Sequence, residues 1–224
     1  NQPIPNLRPA VAIHEPQAAK TIVARLNHLT QYRNVRELAN YDYSSPLRNK
    51  LQIELFRLPP DYQRGDKPEP LPFDLSAGPP TVKAGTSFGI RVKNLLPELS
   101  PTASDPVRNE LNITILDLQP DWGISQLYPS DEAAFLPLDP QREVVRIFKA
   151  GLPPGYQRGT DVIKVFATIG TTNFRWLQLP ALDQPRSATR SGLAQPQNGL
   201  EALLAAVTER AQGATFRNAV LVTE

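Results

Sequence analysis

Residues 111–128 read LNITILDLQPDWGISQLY. Leu111, Ile113 and Ile115 alternate with Asn112 and Thr114, the period of two that sends successive side chains to opposite faces of a strand. The alternation then slips, because Leu116 and Leu118 are apolar on the other face. Such a slip calls for a β-bulge or for a sheet covered on both faces. Gln119-Pro120-Asp121 supplies a turn, since Pro presets φ and Asp bonds its own backbone. Gly123–Tyr128 reads as the returning strand.

The same pattern extends in both directions. Leu51, Ile53 and Leu55 alternate with Gln52 and Glu54. Phe88, Ile90 and Val92 alternate with Ser87, Arg91 and Lys93, the clearest half-buried strand of the chain. Glu143–Lys149, Val162–Ile169 and Phe174–Leu179 read as further strands, separated by turn signals such as Leu152-Pro153-Pro154-Gly155 and Gly170-Thr171-Thr172-Asn173. The 224 residues include 24 prolines but an ordinary 12 glycines, against a usual proline share of about 5 per cent. Short strands with rigid turns predict a mainly β fold, an antiparallel sandwich of about seven to nine strands flanked by an N-terminal and a C-terminal helix.

The N-terminal helix is expected from about 17 to 31, with a second turn or a short helix near 33–40. Ile22, Val23, Leu26 and Leu29 form its apolar stripe, expected to pack on the sandwich face that Leu116 and Leu118 leave apolar. Arg25, His28, Tyr32 and Arg36 recur on the opposite face. Asn198-Gly199-Leu200-Glu201 has the form of a capping box and opens a second helix, with Leu200, Leu203, Leu204 and Val207 as its stripe and Gly213 as its stop. Phe216, Val220 and Val222 suggest a closing strand, which would return to the sheet or pair with a neighbouring domain. The organisation is then a Pro-rich arm and linker helix (1–46), a β-sandwich (47–185), a linker (186–197), and a C-terminal helix with closing strand (198–224).

Composition excludes several functions. The formal charge is +2, unlike that of a nucleic-acid binder. The charge is unevenly spread: net +4 over residues 1–50, −4 over 51–150 and +2 over 151–224. No apolar run is long enough to span a membrane. A cytoplasmic location is expected. Cysteine is absent, which removes disulfides, thiolate metal sites and any Cys nucleophile. Methionine is absent too and residue 1 is Asn, which reads as a fragment or a processed product. His14 and His28 fit surface or capping roles. No phosphate loop, nucleophile elbow or zinc motif occurs. Asp117, Asp121, Asp131, Glu132 and Asp139 cluster loosely, each beside a turn, where Asp is common for backbone reasons. Asn112-Ile113-Thr114 matches a glycosylation sequon inside an expected strand. No catalytic residue, metal site or cofactor is expected.

Two features are candidates for binding. Leu58-Pro59-Pro60-Asp61-Tyr62-Gln63-Arg64-Gly65 recurs as Leu152-Pro153-Pro154-Gly155-Tyr156-Gln157-Arg158-Gly159, matching at seven of eight positions. The pair is either two exposed loops that present Tyr62, Arg64, Tyr156 and Arg158 to a partner, or two similar structural turns. Trp122, in the Asp121-Trp122-Gly123 turn, is either a binding platform or a lid over the core. With Tyr128 and Trp176 it suggests an alternative function, a stand-alone carbohydrate- or ligand-binding sandwich.

The segment from Leu111 to Pro185 also resembles a known region. A strand ending in LDLQPDWG, a strand ending in LYP, a PPGY..GTD turn and a VIKVFAT strand are similar to the C-terminal accessory β-domain, of unknown function, in bacterial and mainly cyanobacterial caspase-family proteins. IVARLNHLTQYRNVREL resembles the segment that joins it to the catalytic domain, and ATFRNAVLVTE the closing strand. The resemblance implies a non-catalytic accessory domain, binding or regulatory, of a caspase-like cysteine protease. Its implied partners are the caspase-like catalytic domain of the same polypeptide and other proteins, with no nucleic acid and no membrane. The family's catalytic His and Cys have no counterpart here.

Overall fold

Strand β4 (Leu111–Leu118) is buried at every residue except the half-buried Asp117. A strand that is apolar on both faces needs a layer on each, and the chain supplies both. The computed structural model describes residues 10–63, 65–67, 70–74, 76, 78–98, 110–130, 133–184 and 195–208. Besides β4 these contain helix α1 (Ala18–Glu37), strands β1 (Leu51–Arg57), β2 (Leu71–Pro72), β3 (Ser87–Asn94), β5 (Ile124–Tyr128), β6 (Leu136–Leu138), β7 (Glu143–Lys149) and β8 (Val162–Thr168), and helix α2 (Gly199–Thr208). No described helix is long and apolar enough to cross a membrane.

The strands form two antiparallel four-stranded sheets. The first runs β2-β1-β3-β7. In the second, β4 pairs with β5 and β6 along one side and with β8 along the other. Leu111, Ile113 and Ile115 pack with Ile90 and Val92 of β3 in the core between the sheets. Leu116 and Leu118 pack outward with Tyr32 and Val35 of α1 and Leu204 of α2. The register also shifts between Ile115 and Leu116 against β5. The slip in the sequence therefore reflects both a bulge and a sheet covered on both faces. The first sheet is simpler. Its outer face carries the Glu54–Arg91–Glu143 ion-pair ladder, with N···O distances of 2.8 and 3.6 Å. On the same face the Phe56 ring lies directly over Gly89 and leaves no room for a Cβ there.

Three expectations need correction. First, α1 is continuous to Glu37, so there is no separate helix at 33–40. Second, α1 lies on the expected sheet face but is rotated. Ile22, Val23 and Leu26 are 39, 57 and 54% exposed, while Arg25, His28, Gln31, Tyr32 and Val35 are buried. The reason is polar complementarity. The surface beneath α1 presents backbone carbonyls and the Asp183 carboxylate, which leucines would leave without donors. Third, Phe174–Leu179 is not a strand. Asn173 Oδ1 accepts from Arg175 N at 3.0 Å and opens a 3-10 turn over Phe174–Leu177. The turn sends Phe174, Trp176 and Leu177 into one cluster. A strand would have pointed Leu177 away from the other two.

The helix ends are satisfied by side chains. Lys164 Nζ, on β8, donates to the carbonyls of Val35, Arg36 and Leu38 at 3.0, 2.7 and 2.5 Å, placing a cation at the negative end of α1. At α2, Asn198 Oδ1 accepts from Glu201 N at 2.8 Å, as the capping pattern predicts. The Glu201 carboxylate instead accepts from Gln197 N and Asn173 N, both at 2.8 Å, and so ties α2 to the 3-10 turn. Leu204 is buried, whereas Leu200 and Leu203 are each 42% exposed. Gly213 and the closing strand lie outside the described residues.

The rotation of α1 gives a direct prediction. Leu116→Ala, under the helix, should cost about 2–5 kcal/mol, whereas Leu26→Ala should stay within about 0.5 kcal/mol. Urea denaturation midpoints of the two variants measure the difference; equal losses would contradict this orientation.

Candidate functional site

The β4–β5 hairpin tip, residues 119–123, is the point where three elements meet. Trp122 N donates to Gln119 O at 3.1 Å and Gln119 N to Gly123 O at 2.9 Å, with Pro120 inside the turn. Closing so short a loop requires a left-handed residue, and here it is Trp122, at φ 68°. A bulky side chain in that region is strained, at about 1–3 kcal/mol. Neighbouring groups hold it there. His28 Nε2 lies 2.8 Å from Trp122 O. Tyr32 Oη donates to Gln119 O at 3.2 Å. Leu182 N donates to Asp121 O at 2.9 Å. Arg25 holds the next turn through a bidentate pair with Asp183, at 3.0 and 2.6 Å. His28 is therefore a buried anchor, not the surface or capping residue that its place in the helix suggests.

On the other side, the second Pro-Pro loop closes against the same tip. A Cβ on Gly159 would come within 2.7 Å of Pro120 Cγ. Between loop and tip is a cavity of about 400 Å³. Its floor is apolar, formed by Ile163, Leu127 and the Phe88–Phe148 pair, whose ring centroids are 6.0 Å apart. Its rim carries Asp117, Asp121 and Asp161, with Lys149 nearby.

Burial and neighbouring charge raise the pKa values of two of these carboxyls, Asp117 and Asp161. Burial pushes the Asp117 carboxyl up to about 6, and the charges of Asp161 and Asp121 add to the shift, opposed by the Gln119 hydrogen bond. Asp117 Oδ1 is buried without a hydrogen-bond partner among the described residues. Burial and the charge of Asp121 raise Asp161 as well. Asp121 is also used structurally, its Oδ1 accepting from Gly123 N at 3.0 Å.

The structure gathers some of the residues expected from sequence and separates others. Asp117 and Asp121 meet at the rim. Asp139 is exposed at a separate turn, and Asp131 and Glu132 lie outside the described residues. Asp161 was not singled out; its signal was a Gly-Thr-Asp turn directly before an apolar strand. Asn112 is buried and donates to the Ile169 and Gly170 carbonyls, so the sequon serves the fold. The repeated loops follow β1 and β7, which are both antiparallel to β3. They are therefore parallel to each other, and both loops leave the same end of the sheet. Each is an i to i+3 turn, with Tyr62 N donating to Pro59 O and Tyr156 N to Pro153 O, both at 3.1 Å. The mismatched position is where the backbones differ, since Gly155 has φ 81°. Tyr62 and Tyr156 are half-buried, Arg158 is exposed, and Arg64 lies outside the described residues.

The aromatic residues do not form an exposed stacking surface. Trp176 and Tyr128 are buried, and Arg146 lies 4.4 Å above the Tyr128 ring. Trp122 is half-buried and meets Tyr32 edge-on at 5.1 Å. It seals the edge of the helix-side cluster rather than forming a platform. Burial in the same layer pushes the Tyr32 phenol up to about 12.

Comparison with known protein families, characterised proteins and solved structures finds no match. The chemistry of the site is therefore read from its own geometry.

Asp117 gives a pH-dependent prediction. Its folded pKa of about 6 lies above the ordinary 3.8, so folding favours the protonated form. That contribution is complete below about pH 4 and is lost as pH rises through about 6. Asp117→Asn should remove this pH dependence and stabilise the protein above pH 6 by on the order of 1–3 kcal/mol. Denaturation curves from pH 4 to 8 test it; parallel profiles for the two proteins would refute it.

Proposed function

We propose that this chain is a non-catalytic accessory module of a caspase-like cysteine protease, which positions partners for the catalytic domain or restrains it. The observation that carries this reading is the inverted helix α1. Its polar side holds the hairpin tip and Asp183, while Ile22, Val23 and Leu26 face water. Burying each such side chain is worth about 1.5–3 kcal/mol. Three in one stripe are a surface suited to a protein partner. The resemblance of the sequence to the accessory domain of caspase-family proteins makes the catalytic domain of the same polypeptide the natural occupant. Without cysteine, the chain contributes no thiol nucleophile of its own. A cytoplasmic location belongs to the same reading. The carbohydrate-binding alternative lacks support, because Tyr128 and Trp176 are buried.

The test is made in the parent polypeptide. Ile22→Asp/Leu26→Asp should leave the melting temperature within a few degrees, since both positions are exposed. Peptidase rate or substrate choice should change. Unaltered rate, substrate choice and stability would rule this function out.

A further inference from the structure

The cavity at the hairpin tip is separate from the exposed stripe of α1, which contributes nothing to its lining. It is the open end of the sandwich core. Leu127, Phe148 and Ile163 pack on the core between the sheets and also form the cavity floor. Phe88 and Phe148 face each other across β3 and β7. All four side chains are half-buried, covered by protein on one side and open to the cavity on the other.

The rim adds charge, mostly of one sign. Asp117 stands on β4 opposite Ile163, Asp121 lies in the tip, and Asp161 comes directly before β8. Lys149, at the end of β7, is the one cation of the lining, so three carboxylates face one ammonium. Lys149 is exposed, and no cation lowers the pKa of Asp117 or of Asp161. Tyr32 of α1 also lies near these carboxyls, but its phenol, pushed up to about 12, brings no charge at neutral pH.

The innermost acceptor lacks a donor. Asp117 Oδ2 accepts from Gln119 Nε2 at 3.3 Å, but Oδ1 is buried and unmatched among the described residues. A buried carboxylate oxygen without a donor is costly, and a ligand N–H that reached it would remove that cost. Among the described residues no three acidic side chains converge as metal ligands would. A bare ion would also leave the apolar floor unused. A cation carried on an apolar body matches both halves.

We propose that this cavity binds a small organic ammonium ion, with its apolar body on the Phe88–Phe148 floor and its N–H groups on Asp117 and Asp161. An ammonium head offers three donors and no acceptor, and hydrogen bonds between two ionised groups are the strong ones. An apolar cleft with a few convergent polar groups is the usual form of a small-ligand site. The same chemistry occurs in a free amine and in a lysine side chain.

The experiment follows amide NMR spectra of the full chain during titration with phenethylammonium, with neutral 2-phenylethanol and with ammonium chloride, at constant ionic strength. Phenethylammonium should shift the Leu127, Phe148 and Ile163 amides saturably, and the alcohol should bind at least about tenfold more weakly. Binding should strengthen about tenfold from pH 5 to 7.5, because a bound cation holds ionised a carboxyl that otherwise takes up a proton near pH 6. Asp117→Asn should weaken binding and flatten that pH profile while keeping a folded spectrum. Asp161→Asn, a second variant in the turn before β8, should weaken binding as well. Nα-acetyl-lysine methylamide separates the two sources: tighter binding than phenethylammonium assigns a protein side chain, weaker binding a free amine, and both support the site. Equal affinity for alcohol and ammonium, the same shifts with ammonium chloride, no saturable shift, or full binding by both variants would overturn the proposal.

Discussion

A central strand that is apolar on both faces cannot be satisfied by one neighbouring layer. β4 imposes that condition, and the fold follows from it. The first sheet covers the side of Ile113 and Ile115. α1, α2 and the 3-10 turn cover the side of Leu116 and Leu118. The second requirement is local: the hairpin after β4 closes with its carbonyls pointing at α1. Donors must meet them, and this fixes which side of α1 faces inward. His28 and Tyr32 are there because Trp122 O and Gln119 O are there.

The sequence made the strands legible and the helix orientation illegible, for one physical reason. Period-two alternation is a burial signal that each strand carries in itself. The Phe88, Ile90 and Val92 face was read correctly because the first sheet is polar outside, along the Glu54–Arg91–Glu143 ladder. The facing of α1 depends on what lies beneath it. Read alone, Ile22, Val23 and Leu26 look like the inner side. Only the carbonyls of the hairpin tip and the carboxylate of Asp183 reverse that assignment. Phe174–Leu179 failed similarly, because apolar residues at one-residue spacing suit a 3-10 turn as well as a strand.

The candidate site was partly visible. Asp117 and Asp121 belonged to a loose cluster of five carboxylates beside turns, and the repeated Pro-Pro octapeptide marked two loops, which the parallel β1 and β7 send to the same end of a sheet. Asp161 escaped notice because its neighbours in space, not in sequence, give it meaning. The cavity joins an apolar floor to mutually repelling carboxylates, and its chemistry arises only when β4, β8 and the second loop come together.

The chain between α1 and β1, which runs beside β8, is tethered at both ends. Lys164 holds its start at Leu38, and Leu95 N, donating to Lys50 O at 2.8 Å, holds its end. The entropy of closing a loop is lost when both ends are fixed, whatever later contacts it. Here that loss is complete in the free protein, and the Asn40 and Asp42 turns remove much of what freedom is left between the tethers. Tyr41 and Tyr43 are therefore carried on a chain already ordered in the free protein, and a contact made there spends no binding energy on ordering that chain.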